Sequence, residues 1–505
     1  MSGYKKGIDR RQIEMTSLED KVGTKAMVRV IDRFIEVVSF EELGFTKSRP
    51  AKTGRPGYSP KAMSKLYIYG YENGIRSSRK LERETLRNVE VMWLMDSLTP
   101  DYKTISEFRR ENIRPLQKLL SEFVKLCKSW ELIGGELIAI DGSKIKASNN
   151  KKNNFSRKKI DDRLKRIEAK IKRYMEEMES ADKAEESESP PMDTTELQKL
   201  LERKEKYEEY RKSLDESGAN ELSTVDPDAR LMGNNRGGVE VAYNVQSAVD
   251  GKHNIVVAYD VSTNPSDQNQ LGVMIKKVKK VLRLRSFTAL ADKGYYNGKD
   301  LLKAKKLKVR AIVSKQKASD SKKLPENFRS EHFKYDENAD NYKCPMGQIL
   351  STRNKKAERI RYTNRIACAN CPNKSDCIVG KAKFRTISRG KYSKISDEAD
   401  KRFRENLGLY RRRQEIVEPP FGTIKHGLNG SYFLVRTRRK VRTEVALLFL
   451  AYNLKRALNV LGFDDIMCKL DRFFCRIFTF VMKIIPLFQS FQPQPSYPLF
   501  LNSVL

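Results

Sequence analysis

Three acidic residues stand where carboxylates are chemically informative. Asp141 follows the apolar run LIAI in ELIAIDGSKIKA (136–147), and Asp292 follows TALA in SFTALAD (286–292). Glu418 falls in RRRQEIVEPPFGTIKHGL (411–428), directly before two prolines. Continuous apolar runs of this kind read as buried strands, here ending in a turn at Asp141 and Gly142. Ligands gather at the carboxyl ends of central strands in α/β sheets. Around Glu418, the residues Val417, Phe421, Ile424 and Leu428 are spaced 4, 3 and 4, a helical stripe. Taken singly, an Asp after a strand is as readily a turn or cap residue, and Glu415 or Glu418 as readily a solvated side chain. Together they form a donor set for a divalent metal. Mg²⁺ takes hard oxygen ligands, and two ions roughly 4 Å apart activate a nucleophile and stabilise a leaving oxygen on phosphorus. Pro419 biases its predecessor away from helix, so Glu418 is expected just before a helix with Pro419 at its first position.

The composition supplies the phosphodiester. The 505 residues carry 100 Lys plus Arg against 65 Asp plus Glu, a formal charge of +35 and a pI near 9.7. Charge of that size calls for a polyanionic partner, first of all nucleic acid. An anionic membrane surface fits less well, because the basic residues are not confined to one patch. Arg76, Arg79, Lys80, Arg83 and Arg87 crowd one stretch and are candidates for DNA-phosphate contact. The N-terminal MSGYKKGIDRRQ has no apolar leader, and the expected location is cytoplasmic and nucleoid-associated. The longest apolar run, 473–488, is 16 residues interrupted by Arg476 and Lys483. That is short of the roughly 20 residues a spanning helix needs, so it reads as a core or partner-binding helix.

Around these residues the periodicity sets out the elements. Residues 1–46 and 61–130 are expected to be helical, with Ser106 as a cap in TISEFRREN. The strand at 136–147 is followed by a helical hairpin over 150–225, broken at SESPP (187–191), with Ile160, Leu164, Ile167, Ile171, Met175 and Met178 as its apolar stripe. Strands at 239–250 and 254–263, a helix from Leu271, strand 286–292, a short helix and strand 309–313 complete the order β, insertion, β, β, α, β, α, β. This is a mixed α/β sheet preceded by an all-helical region.

Four of the seven cysteines are grouped. Cys344, Cys368, Cys371 and Cys377 lie within 34 residues and include one C-x2-C unit. Such a set suits a structural tetrahedral Zn²⁺, although five residues separate Cys371 from Cys377; reduced structural thiols are the other reading. Cys127, Cys468 and Cys475 are scattered, as are the lone His253, His332 and His426.

IAIDGSK, ALADKGYYNG and VEPPFGTIKHGL, in that order, resemble the three blocks of DDE transposases from bacterial insertion sequences. DPDARLM (226–232), AYNVQSAVD (242–250) and EVALLFLAYNLKRAL (444–458) support the match, and TPDYKTISEFR (99–109) resembles the helical N-terminal domain of those enzymes. The resemblance runs from about residue 40 to 460. It implies a ribonuclease H-like catalytic domain in which Asp141, Asp292 and Glu418 hold two Mg²⁺ (or Mn²⁺) ions. Water would nick DNA at the element ends, and the freed 3′ hydroxyl would join target DNA with no covalent protein intermediate. Glu418 is preferred to Glu415 because these enzymes carry Lys or Arg seven residues after the glutamate, and Lys425 fits. The family's Tyr and Arg before the glutamate correspond imperfectly, since Tyr410 and Arg413 sit one residue too far upstream; Arg413 or Arg412 remains a phosphate contact.

The implied layout is a helical DNA-binding domain at 1–130 and a catalytic domain at 131–462, with insertions at 150–225 and 315–400. A tail of unknown role follows at 463–505. The partners expected are double-stranded DNA and a second copy of the chain, because two ends must be joined in concert, and no membrane. The basic VRTRRKVR (435–442) favours a long duplex. The alternatives are a catalytically silent repressor or end-binding protein, and a ribonuclease H-type nuclease with other substrates.

Overall fold

The computed structural model describes residues 11–13, 15–49, 56–184, 195–233, 237–315, 324–352, 359–378 and 380–475. Most of the apolar run 473–488, the C-terminal FQPQPSYPLF and the SESPP break lie outside the described residues. The chain divides into two compact units. One holds residues up to Leu132, Thr423–Leu434 and the segment from Arg442; the other holds Ile133–Gly422 and Val435–Val441. The sheet-bearing unit thus ends its main run at Gly422, where the sequence places a boundary at 462.

The first unit is helical, with α1 (Met27–Glu36), α2 (Pro60–Glu72), α3 (Ser78–Arg87), α4 (Tyr102–Glu111) and α5 (Ile113–Ser129). Helix α2 starts at Pro60, whose fixed φ suits the first helical position, behind a Ser59 cap. Its core is aromatic: Phe34 meets Phe123 edge-on at 5.1 Å, and Phe108 stacks with Phe45 and Tyr67 at 6.1 Å each. Helix α4 corrects the expected cap. Asp101 accepts from Lys103 N and Thr104 N at 2.8 and 2.9 Å, so the helix begins at Tyr102 and Ser106 is inside it. A carboxylate satisfying two orphan amides wins over a serine five residues later.

The second unit is built on a six-stranded mixed sheet. Strand β1 (Leu137–Lys146) pairs antiparallel with β3 (Val239–Asp250), which also pairs antiparallel with β2 (Arg230–Gly233) and β4 (Val256–Ser262). On the other side of β1 run the parallel strands β5 (Thr288–Ala291) and β6 (Arg310–Val313). Between β1 and β2 the chain forms the helical hairpin α6 (Arg157–Ala184) and α7 (Thr195–Ser217). Helices α8 (Leu271–Leu282) and α9 (Gly298–Lys306) make the crossovers. Three antiparallel strands followed by two parallel ones, with β1 central, is the ribonuclease H-like arrangement, and the order of elements is the expected one.

Two local expectations change. Strand β1 does not end at Asp141 but continues to Lys146, because β3 keeps pairing with it (Asp141 opposite Ser247) after β5 has stopped opposite Ile140. In the hairpin, Ile160, Leu164 and Ile167 are buried with Phe155 and Leu214, whereas Met175 is exposed. Only the base of the apolar stripe is core.

After β6, a small module over 324–390 holds a three-stranded sheet (Lys334–Asp336, Asn341–Lys343, Ile349–Leu350) and a ribbon of Arg359–Thr363 with Thr386–Gly390. Its core is Phe333, Tyr342, Leu350, Tyr362 and Ile387. Helices α10 (Ser393–Glu405) and α11 (Leu407–Gly422) then return to the sheet, α11 packing on β1, β3 and β5.

Helix α11 overturns the expectation that Glu418 precedes a helix: Glu418, Pro419 and Pro420 are all within it. Pro419 has no N–H for the carbonyl of Glu415, four residues back. Asn254 Nδ2 donates to that carbonyl at 3.1 Å, supplying the missing donor from a turn of the sheet. The helix then widens into the π-helical turn Thr423–Gly427. Asn254 has a positive φ of 56°, which glycine tolerates. Asn254→Gly should therefore keep the turn and lose the donor, costing about 1 kcal/mol in thermal or urea unfolding. Unchanged stability would deny the bond its role.

Among the described residues, no single helix is long and apolar enough to cross a membrane.

Candidate active site

Asp141 and Asp292 are brought together by the parallel pairing of β1 and β5. Ile140 is in register with Ala291, so the next residue on each strand is an aspartate. Neighbouring strands lie about 4.8 Å apart, which sets the scale of their separation. Asp292 caps the turn Lys293–Tyr295, accepting from Lys293 N at 2.5 Å. Asp141 is largely buried, and burial pushes its carboxyl up to about 6. The Arg413 guanidinium and the Gly142 amide oppose that rise, while Asp267 and Asp292 add to it.

Arg413 reaches this pair from α11. Its Nη1 lies 3.5 Å from Asp141 Oδ1, the side chain is 12% exposed, and its Nε has no hydrogen-bond partner. Ile416, Val417, Pro420 and Phe421 are buried on the same side of the helix, which explains why Arg413 faces the sheet. Tyr410 stands one turn earlier; burial raises its hydroxyl and the nearby Arg413 guanidinium opposes that rise.

A fourth acid, Asp267, belongs to the site and was missed from the sequence. It follows β4 in the loop NPSDQ, where an Asp reads as an ordinary turn residue. The signal available was its position after a strand, as for Asp292. Its Oδ1 accepts from Asn244 Nδ2 and Gln246 Nε2, both at 2.8 Å. Gln246 Oε1 in turn accepts from the hydroxyl of Tyr295, which is fully buried. Gly142, next to Asp141, is required by this network. A Cβ there would stand 2.4 Å from Gln246 Nε2 and 2.5 Å from Asp267 Oδ1. The other oxygen, Oδ2, would lie 3.2 Å from a Cβ on Gly294. Asp267 thus sits between the two glycines that flank the catalytic candidates. Asp267→Ala removes the acceptor of two amides and should cost about 1–3 kcal/mol in thermal unfolding. The less disruptive Asp267→Asn should cost less, and equal losses would argue against the network.

Glu418 is not gathered with Asp141 and Asp292. It is exposed, and on an ideal helix it lies about 140° around from Arg413. Among the described residues, no three His, Cys, Asp or Glu side chains are set to hold a metal ion. The donor chemistry of Asp141 and Asp292 fits Mg²⁺, and a cationic group, Arg413, already stands at Asp141.

The basic residues divide. Arg79, Lys80, Arg83 and Arg87 of α3 are exposed, Arg79 lying over the Tyr102 ring at 5.1 Å. Arg76 does not join them. It is 2% exposed and pairs with Glu444 at 3.0 Å, so its expected contact with phosphate is replaced by a buried ion pair. Lys425 is half-buried in the π-helical turn.

Cys344, Cys368, Cys371 and Cys377 all line one cavity of about 30 Å³, together with Phe328, Phe333 and Arg385. Gln348 N donates to Cys344 Sγ at 3.3 Å. Burial raises the Cys377 thiol, with Arg385 opposing. Thiols are the ligand type of a structural Zn²⁺ site, but among the described residues these four are not set to hold a metal ion.

A transposase domain (DUF772) matches residues 16–111, covering the helices of the first unit up to the end of α4. A transposase DDE domain matches residues 343–458, which include the four grouped cysteines, α11 and Glu418 but begin after Asp141 and Asp292. No curated protein matches the chain. With the ribonuclease H-like sheet between them, these two matches support a DDE transposase of the insertion-sequence type.

Proposed function

We propose that the protein binds the ends of its element as double-stranded DNA, cleaves them and transfers the freed strand to a target. The observation that supports this most is the side-by-side pair Asp141 and Asp292 at adjacent parallel strands, with the Arg413 guanidinium 3.5 Å from Asp141. Asp141 and Asp292 would hold Mg²⁺ or Mn²⁺, with Glu418 as the third donor by family resemblance. Such an ion, when bound, lowers the pKa of a water and offsets charge on phosphate oxygens. The chain's own contribution is to desolvate Asp141, fix Asp292 through its cap and seat Asp267 against Gly142 and Gly294 beside them. Arg413, with an unused Nε, is a phosphate ligand within reach of the same carboxylates. The exposed cations of α3 contact backbone phosphates. Concerted joining of two ends calls for a dimer on DNA.

The test incubates the purified protein with a plasmid carrying the DNA that flanks its gene, in Mg²⁺ or Mn²⁺, beside Asp141→Ala. Metal-dependent nicking at the element ends that disappears in the variant supports the reading. Specific end binding with no cleavage in either metal would make the protein an end-binding factor instead.

The cysteine cavity would carry one structural Zn²⁺. The core of that module has five residues, small for independent stability, and modules of that size rely on a staple. Native mass spectrometry of the full chain should find one zinc, lost in Cys371→Ser, with faster proteolysis between residues 324 and 390. A metal-free wild-type chain of equal protease resistance would leave the cysteines as plain thiols.

A further inference from the structure

The helical hairpin α6–α7 carries a groove that the catalytic reading does not use. Its cavity of about 700 Å³ runs along the seam of the two helices near the sheet. Five cations line it: Arg163, Arg166, Lys170, Arg203 and Lys206. No carboxylate does.

That segregation is not forced by composition. The two helices hold 16 Lys or Arg and 14 Asp or Glu, so they are close to neutral. Acids of the hairpin lie outside the groove lining, and several are engaged by other cations. Lys204 lies 3.5 Å from Glu168 and 3.9 Å from Glu208, Arg211 lies 3.8 Å from Asp161, and Arg157 pairs with Asp215. Arg166, Lys170, Arg203 and Lys206 are exposed and have no carboxylate partner among the described residues. Like charges four apart on a helix, such as Arg166 and Lys170, repel, so the arrangement is stable only at a cost that an anion would relieve.

The floor is rigid. Phe155, Tyr207 and Tyr210 pack on one another with centroids 5.1–5.9 Å apart. The Arg163 guanidinium lies over Phe155 and Tyr207 at 5.2 and 5.3 Å and donates to the Tyr207 hydroxyl. A packed arginine surrounded by four exposed cations is suited to a run of phosphates.

We propose that this groove binds the phosphate backbone of a DNA duplex, a contact separate from the carboxylate site and from the cations of α3. It rests on the reading of the protein as one that acts on DNA.

The experiment measures binding of the full chain to a fluorescent 30-base-pair duplex of arbitrary sequence across a salt series. The groove variant combines Arg166→Ala, Lys170→Ala, Arg203→Ala and Lys206→Ala, all at exposed positions. A control removes the same charge outside the groove with Lys165→Ala, Lys172→Ala, Lys199→Ala and Lys212→Ala. Each lost phosphate contact lowers the slope of log affinity against log salt by about 0.9, so the groove variant should lose about 3 to 4 and bind at least about 10-fold more weakly near 0.1 M salt. The control should lose less than about one. Equal losses in both variants, or a groove variant indistinguishable from wild type, would overturn the proposal. Absence of duplex binding by the wild-type chain would instead overturn the DNA-acting reading on which it rests. Circular dichroism of the variants should match wild type.

Discussion

Asp141→Asn is expected to abolish DNA cleavage and, in metal-free buffer, to make the protein more stable at pH 7–8. Cleavage should fall by at least about 10³-fold, the scale on which single essential groups act. The stability gain follows from the burial of Asp141, which raises its carboxyl from 3.8 to about 6 in the folded protein. A carboxyl raised in the folded state binds its proton more tightly there than in the unfolded chain. Its contribution is therefore full below about pH 4 and is lost as pH rises through 6. Above pH 7 the buried charge costs about 2–3 kcal/mol, and asparagine carries no such charge.

Thermal unfolding of both proteins in EDTA at pH 4 and pH 7.5 reads the difference. The variant should melt a few degrees higher at pH 7.5 and show no advantage at pH 4. An equal melting temperature at pH 7.5 would mean that the carboxyl is not desolvated. Wild-type cleavage by the variant would remove Asp141 from the mechanism. Both effects have one origin: a carboxylate held out of water beside Asp292 is poorly placed for stability and well placed to bind a cation.

Arg76→Ala should be the most damaging single substitution for the fold of the first unit, at about 3–5 kcal/mol. Its side chain is 1% exposed and that of Glu444 is 0%. Arg76 Nη1 also donates to Tyr432 O at 2.8 Å, and its guanidinium lies over the Tyr432 ring at 4.8 Å. Glu444 accepts from Leu434 N at 3.1–3.2 Å. The pair thus ties α2–α3 to the turn at 432–434 and to the long helix Arg438–Leu461. Removing the arginine takes away the cation that hydrogen-bonds to this buried carboxylate, which costs more than removing both charges. The double variant Arg76→Met with Glu444→Leu should accordingly lose less than Arg76→Ala alone. The salt slope of DNA binding should be unaltered by the double variant, since this arginine meets no phosphate. A loss under about 1 kcal/mol in Arg76→Ala, or a changed slope in the double variant, would refute the assignment.

The contrast between Arg76 and its neighbours shows what a sequence can and cannot carry. Five basic residues in one stretch look alike by type and spacing. Only packing separates Arg76, turned onto Glu444 368 residues away, from Arg79, Lys80, Arg83 and Arg87 at the surface. Glu418 makes the same point. Pro419 argues locally against helix before it, and the helix persists because Asn254 from the sheet supplies the donor that proline lacks. Asp267 was passed over because its loop is an ordinary turn by composition. Its role appears only when Gly142, Asn244 and Gln246 are brought beside it.

What the sequence by itself determined is the order of strands and helices, the two aspartates that follow apolar strand runs and the excess of positive charge. Those depend on periodicity and composition, which are local quantities. Tertiary structure alone decided which cation is buried, which carboxylates meet, how far β1 continues past Asp141, and where the hairpin gathers its positive charge. Those depend on contacts between segments tens to hundreds of residues apart, where burial and pairing energies outweigh the preferences of any one segment.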